Sequence, residues 1–293
     1  MATAAQWIQG ARLRTLPAAI APVLIGSAAA YEMDSFILLN AVLAALVALL
    51  LQIGVNYAND YSDGIRGTDE DRVGPLRLVG SGAASPEHVK RAAFAAFGLA
   101  MLFGLILVII TQAWWLILVG IGCVLAAWGY TGGKNPYGYL GLGDVFVFVF
   151  FGLVATLGTT YTQAGQLSLA AIIGAIGTGL IACALLMANN VRDIPTDRKA
   201  GKKTLAVRLG DKHARESYVL MLAVAILLVI VLAPARPWML IVLLLIPASL
   251  MPSWLMISGR RRKSLIPVLK QTGLINLGFA ALFSLGLVLS HGF

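Results

Sequence analysis

Long apolar stretches alternate with short polar ones along the chain, and nothing ionisable at neutral pH lies between Arg91 and Lys134 or between Asp144 and Arg192. Each of those two stretches is about twice the ~20 residues that cross a ~30 Å hydrocarbon core, so each predicts a pair of membrane helices joined by a short hairpin. The same reading predicts nine spans, at 15–31, 36–57, 88–110, 113–131, 144–162, 168–190, 214–233, 237–257 and 267–290. Strands of a membrane barrel would alternate polar and apolar positions, and these segments do not. The expected fold is an all-α membrane protein: nine transmembrane helices in one bundle, with residues 1–293 as a single polytopic domain.

Composition narrows this further. Of 293 residues 59% are hydrophobic and only 12% charged, with a mean hydropathy of +0.86. A soluble domain carries about 25% charged residues, so a water-facing globule is excluded. If the loops alternate between two sides, every one of the 22 Lys and Arg residues except Arg236 falls on the side of the N-terminus. The positive-inside rule then places the N-terminus in the cytoplasm and the C-terminus outside, across the cell (plasma) membrane. The net charge of +9 needs no nucleic acid, since topological bias and anionic lipid account for it, with Arg260, Arg261, Arg262 and Lys263 as a headgroup-facing cluster. Cys123 and Cys183 sit in apolar runs without partner spacing and read as packing residues. The run from Leu16, with Pro17 and Pro22, reads as the first span rather than as a cleaved signal.

Two loops on the basic side are long, at 58–87 and 191–213, and function is expected there, in a chamber on the cytoplasmic side. The first ends in Ser85-Pro86-Glu87, a cap, a first-turn proline and a first-turn acid for the third span. The second holds Thr204 to Gly210, a short amphipathic segment closed by glycine and suited to lie over the bundle mouth. Of the 13 acidic residues, Asp60, Asp63, Asp69, Glu70 and Asp71 share the first loop, and Asp193 and Asp197 the second. If the preceding helices continue past their apolar limits, Asn59 and Asp63 share one face with Asp60 beside them, and Asn189, Asp193 and Asp197 repeat the spacing of four.

Of the two clusters, the first alone reads equally well as a solvated spacer, and it fails as an EF-hand because the alternating acids and the closing glutamate are missing. Together they gather like charge at a membrane mouth, for which a divalent cation is the natural compensation. Oxygen-only ligands favour Mg²⁺ or Ca²⁺ over zinc, and Mg²⁺ commonly bridges carboxylates to phosphates. Arg66, Arg72, Arg192, Lys199, Lys202 and Lys203 fit as diphosphate contacts, beside their reading as ordinary inside-positive charges.

The pattern Asn59-Asp60-x-x-Asp63 with Asp193-x-x-x-Asp197, each at the end of a span, resembles the paired aspartate motifs of the UbiA-like intramembrane prenyltransferases, and the span count agrees. The resemblance implies nine helices around a chamber open to lipid, with Asn59, Asp60, Asp63, Asp193 and Asp197 binding Mg²⁺ and the diphosphate of a polyprenyl donor. The family often carries a further Asp where this chain has Gly67, the next candidate being Asp69. The segments Gly74-Pro75-x-Arg77-Leu-Val-x-Ser81-Gly82, Pro136 to Asp144, Gly201 to Gly210, and Tyr130-x-x-x-Lys134 resemble the branch of that family acting on 1,4-dihydroxy-2-naphthoate in menaquinone synthesis. The implied reaction joins a polyprenyl group to that acid with loss of carbon dioxide and diphosphate, giving demethylmenaquinone; 4-hydroxybenzoate or homogentisate is the alternative acceptor within the family.

That chemistry assigns roles. Metal ions and cations stabilise the departing diphosphate, and an apolar chamber with ring faces excludes water from the allylic cation. Trp128, Tyr130, Tyr137, Tyr139, Phe146 and Phe148 are the ring candidates, each also readable as packing or interfacial. Asp63 and Asp69 are candidates for the base as well as for the metal, Lys134 and Tyr139 complete the catalytic set, and Arg77, Lys134 and Tyr130 are the acceptor contacts. A cation-coupled transporter would place charges near the midplane of interrupted helices, whereas here they collect at one mouth.

Overall fold

The computed structural model describes residues 2–67 and 76–291, the side chain of Arg14 apart. Among them the regular structure is helical: α1 (Ala4–Gly10), α2 (Pro17–Glu32), α3 (Leu38–Ile65), α4 (Pro86–Thr111), α5 (Leu116–Gly129), α6 (Gly143–Ala164), α7 (Leu169–Lys199), α8 (Leu205–Leu232), α9 (Pro237–Ile257) and α10 (Arg262–Ser290), with short turns of 3₁₀ helix at Leu13–Thr15 and Tyr137–Leu140. Every expected span coincides with a helix, but only seven, α3, α4 and α6 to α10, are long and apolar enough to cross a membrane. With 16 and 14 residues, α2 and α5 are shorter, about 24 and 21 Å at 1.5 Å per residue. The apolar pattern overran at α5 because Gln112, at φ 55°, ends α4 and the apolar residues 113–115 form the following turn. Ahead of α2, Arg12 adopts φ 54° and turns the chain back into α1, a helix that the apolar pattern did not announce.

Among the described residues the largest core is shared by α2, α7, α8, α9 and α10, with α7 the most enclosed of the long helices. Close approach depends on small residues. A Cβ at Gly152 of α6 would lie 2.7 Å from Gly179 Cα and 2.8 Å from the Ala175 carbonyl oxygen of α7, and one at Gly26 of α2 would lie 2.5 Å from the Thr156 carbonyl oxygen of α6. Without an apolar-to-water driving force in lipid, such contacts let helix backbones gain van der Waals energy directly. Polar groups add registry: the Tyr218 hydroxyl of α8 lies 2.6 Å from Thr272 Oγ1 of α10, and Arg215 donates to the carbonyls of Met256, in the last turn of α9, and of Arg260, just beyond it. The helix within Phe148–Val154 of α6 widens to π geometry, a form often met at functional sites.

Contacts define two ends of the bundle. At one, Asn40 donates to the Thr162 carbonyl, Glu32 pairs with Arg236, and Asp34 meets His291. At the other, Arg66 donates to the carbonyls of Thr131 and Gly133, the Lys203 amide donates to the Tyr139 carbonyl, and Arg208 to that of Leu140. There α3 and α7 continue past their apolar limits to Ile65 and Lys199, so both acidic clusters begin on helix. Thr204 caps a helical stub that breaks at Gly210 (φ 77°), and Ser85 caps α4 with Pro86 in its first turn.

Replacing Gly152 by Leu is expected to separate α6 from α7 and to lower stability by about 1–3 kcal/mol, the usual cost of overpacking. Gly122→Ala, whose Cβ meets nothing within 4 Å, is expected to be neutral. Thermal unfolding midpoints in detergent check the pair; equal midpoints for both variants would contradict the close crossing.

Candidate active site

The ends of α3 and α7 open onto a cavity of about 2550 Å³ that runs down between α2 to α7 and α10. Its deeper wall is mainly apolar, with Val47, Leu51, Met101, Leu105 and Leu277 among its lining. Its mouth is not. Asn59 and Asp63 from α3 and Asn189, Asp193 and Asp197 from α7 all line it, as spacing along one helical face requires.

Asp63 is the centre of this mouth and is 4% exposed. Its Oδ1 accepts from the Tyr139 hydroxyl at 2.6 Å and from Lys202 Nζ at 3.3 Å, while Oδ2 lies 3.5 Å from Arg77 Nη2. Burial, and then the Asp63 charge, pushes the Tyr139 hydroxyl above its ordinary range, so it remains a donor. For Lys202 burial acts downward, but Asp63 and Tyr139 outweigh it and its ammonium is held above the usual lysine range. The Lys202 ammonium also lies 4.4 Å from the Tyr139 ring centroid. Across the mouth, Arg192 grips Asp193 with two bonds of 2.7 and 2.6 Å. Thr131 donates to Asn59 Oδ1 at 2.7 Å, which fixes that amide.

Other candidates fall elsewhere. Asp60 does not line the cavity: its carboxylate accepts the backbone amides of Leu78 and Val79 at 2.7 and 3.0 Å and so anchors the 76–84 loop that carries Arg77. Arg66 lies outside the lining with its guanidinium on the Thr131 and Gly133 carbonyls, and Lys134 and Lys203 are exposed outside it. Arg77, Tyr130, Tyr139, Arg192, Lys199 and Lys202 do line it. Asp69 and Arg72 lie outside the described residues. Of the ring candidates, Tyr130, Tyr137, Tyr139 and Phe146 face the cavity, Tyr137 and Phe146 stacking at 3.9 Å. Trp128 instead packs against Tyr61 and Phe94, and Phe148 against Gly179 of α7.

Two features escaped the sequence reading. Thr131 carried no signal, being a lone hydroxyl in a turn. Gln52 and Asn56 did carry one, since they interrupt an apolar span at steps of four, three and four that lead on to Asn59 and Asp63. They join Thr15 and the Ala11 carbonyl in a network of 2.9 to 3.4 Å bonds that pins the turn bearing Arg12 to α3.

Residues 19–270 match the model of the UbiA prenyltransferase family. The chain belongs to that family. It is 53% identical, over 96% of both chains, to the 1,4-dihydroxy-2-naphthoate octaprenyltransferase of Mycobacterium tuberculosis, and 44% identical to that of Escherichia coli over 74% of this chain and 72% of the other. The fold matches that of a UbiA homologue from Archaeoglobus fulgidus bound to DMAPP and Mg²⁺, at a TM-score of 0.68, 17% identity and coverage of 97% and 99%. An apo UbiA homologue from Aeropyrum pernix gives a TM-score of 0.70 at 18% identity, covering 92% and 97%.

The geometry separates two neighbouring aspartates. Asp60→Ala is expected to leave two amides without an acceptor and to lower stability by about 1–3 kcal/mol. Asp63→Ala is expected to abolish activity with an unfolding midpoint near that of the parent. Thermal unfolding and prenyl transfer, measured on the same preparations, check this; a stable, inactive Asp60→Ala protein would reverse the assignment.

Proposed function

We propose that this family member transfers a polyprenyl group from a polyprenyl diphosphate to 1,4-dihydroxy-2-naphthoate, releasing diphosphate and carbon dioxide and giving demethylmenaquinone after oxidation. The observation that supports it is the meeting of two oxygen-rich helix ends, with Lys202 and Arg192 beside them, over one apolar chamber. The acceptor follows from the name of relatives as similar as 53% over 96% of the chain.

The donors at the mouth are carboxylate and amide oxygens, a set that fits Mg²⁺. Among the described residues no three acidic, His or Cys side chains gather closely enough to hold a cation alone. Asn59, Asp63, Asp193 and Asp197 would hold Mg²⁺ together with the phosphates of the donor, and the ion would supply neutralisation of the diphosphate charge. Lys202, Lys199 and Arg192 stabilise the charge that grows on the leaving diphosphate, with Arg72 a further candidate. Tyr130, Tyr137 and Phe146 line the space where the allylic carbon becomes electron-poor; their faces exclude water and favour positive charge. The carbon–oxygen bond of the donor breaks and a bond forms to the ring carbon bearing the carboxylate. Carbon dioxide leaves with its bonding electrons returned to the ring, so no proton has to be removed from carbon. Asp63, or Asp69 in the adjoining segment, accepts the proton of an acceptor hydroxyl.

With carboxyl-labelled acceptor, labelled carbon dioxide is expected in a one-to-one ratio with prenylated product, and turnover is expected to stop with chelator or with Asp193→Ala. Product that keeps the label, or a preference for 4-hydroxybenzoate, would move the chain to another branch of the family; turnover without metal would refute the diphosphate site.

The excess of basic residues at the active-site end points to the cytoplasm. In a protein with Cys123 and Cys183 replaced by Ala, Gln166→Cys, on the exposed α6–α7 hairpin, is expected to react with an impermeant maleimide from outside intact cells. Lys134→Cys, at the opposite end, is expected to react only after permeabilisation. The reverse pattern would invert the topology.

A further inference from the structure

Six cationic side chains line the chamber: Arg12, Arg77, Arg192, Lys199, Lys202 and Lys270. Five belong to its carboxylate-rich part. Arg77 and Lys202 face Asp63, Arg192 grips Asp193, Lys199 follows Asp197 by two residues at the end of α7, and Arg12 acts on Asp60.

Lys270 is different. It stands on α10 in the stripe Ile266, Lys270, Leu274, Leu277, whose spacing of four, four and three puts all four on one helical face, and all four line the chamber. Its neighbours along that stripe are apolar, and its side chain is exposed rather than packed into the core. The chain has no Asp or Glu after Glu216, so neither α9 nor α10 brings a counter-charge. Among the described residues no carboxylate lies within ion-pair distance of Lys270, whereas Arg77, Arg192 and Lys202 each pair with an aspartate at the mouth. A lysine on a membrane helix is costly to keep, and one that faces an internal chamber marks a path or a site for an anion.

The chemistry of that anion can be narrowed. A diphosphate carries about three charges and calls for the metal-binding mouth. A single ammonium on an apolar wall suits a single negative charge attached to an apolar body. On the reaction proposed above, the acceptor has that form. We propose that Lys270 is the residue that recognises the carboxylate of the aromatic acid, and that it thereby sets specificity for acidic acceptors. Arg77 and Lys134, the candidates from sequence, are less suited: the first is paired with Asp63 and the second lies outside the lining.

The test is steady-state kinetics of the full-length protein in membranes or nanodiscs, with Lys270→Met and Lys270→Arg beside the parent. Lys270→Met is expected to raise KM for 1,4-dihydroxy-2-naphthoate about tenfold or more, the scale of a lost charge-assisted hydrogen bond, with KM for the prenyl diphosphate within about twofold. Lys270→Arg is expected to restore most of the affinity. The methyl ester of the acid, used as an inhibitor, is expected to bind the parent and Lys270→Met equally, because it offers no charge to lose. A matching rise in the ester's inhibition constant would mean a distorted wall and overturn the assignment. A rise confined to KM for the diphosphate would make Lys270 a donor contact, and unchanged constants would leave it a lipid-facing charge; both results also overturn it. Failure of the parent to use the naphthoate while prenylating another aromatic acid would overturn the acceptor reading alone, and the same three measurements with that acid would then decide Lys270.

Discussion

A carboxylate at the end of a membrane helix, 4% exposed, is tolerated only if other groups meet its charge, and the mouth of this bundle is built around that requirement at Asp63. Its partners come from three separate places: Arg77 from the loop after α3, Tyr139 from the turn before α6, and Lys202 from the loop after α7. Further bonds fix these segments: the Lys203 amide donates to the Tyr139 carbonyl, and the amides of Leu78 and Val79 donate to the Asp60 carboxylate of α3. Satisfying one charge therefore draws three separate segments together at the mouth. It also keeps cations beside the very oxygens that bind metal and diphosphate on the reading proposed here, so arriving charges meet groups already in position.

Much of this was legible in the chain. The apolar runs announced a helical membrane bundle, and the two Asn/Asp clusters, spaced by four at the ends of α3 and α7, announced the mouth. Helix geometry explains that success, since residues four apart share a face whatever lies around them. The same rule cannot say which of two adjacent acids faces inward. Asp60 and Asp63 differ by most of a turn, and only the path of the 76–84 loop sends one to backbone amides and the other to the cavity. Arg66 and Lys134 failed as chamber residues for a related reason: a side chain on a turn points where the turn is folded, and no periodicity encodes that.

Length was the other limit. Hydropathy counts apolar residues, and so cannot distinguish a helix of 14 residues with an apolar turn before it, as at α5, from a longer helix. Charge counting had the opposite defect. It groups Lys270 with the other basic residues, and a count of charges says nothing of the face of α10 that the residue occupies.

The chamber is graded from end to end, and the grading orders the substrates before any specific contact does. At the mouth, carboxylates and cations alternate, which suits a metal-bound diphosphate and would leave a hydrocarbon chain in contact with charge. Below it, Val47, Leu51, Met101 and Leu105 offer no partner to a phosphate, and each charged oxygen placed there would lose its hydration without replacement. An amphiphile with a diphosphate at one end therefore has one favourable orientation. Its reactive carbon, next to the diphosphate, would then lie near the boundary between the two zones, on the side of the packed rings of Tyr130, Tyr137 and Phe146 that line the cavity. On the reading proposed here, a carbocation formed at that boundary would be close to the departing anion and screened from water by the same wall, so position would favour transfer to an aromatic ring over loss to hydrolysis.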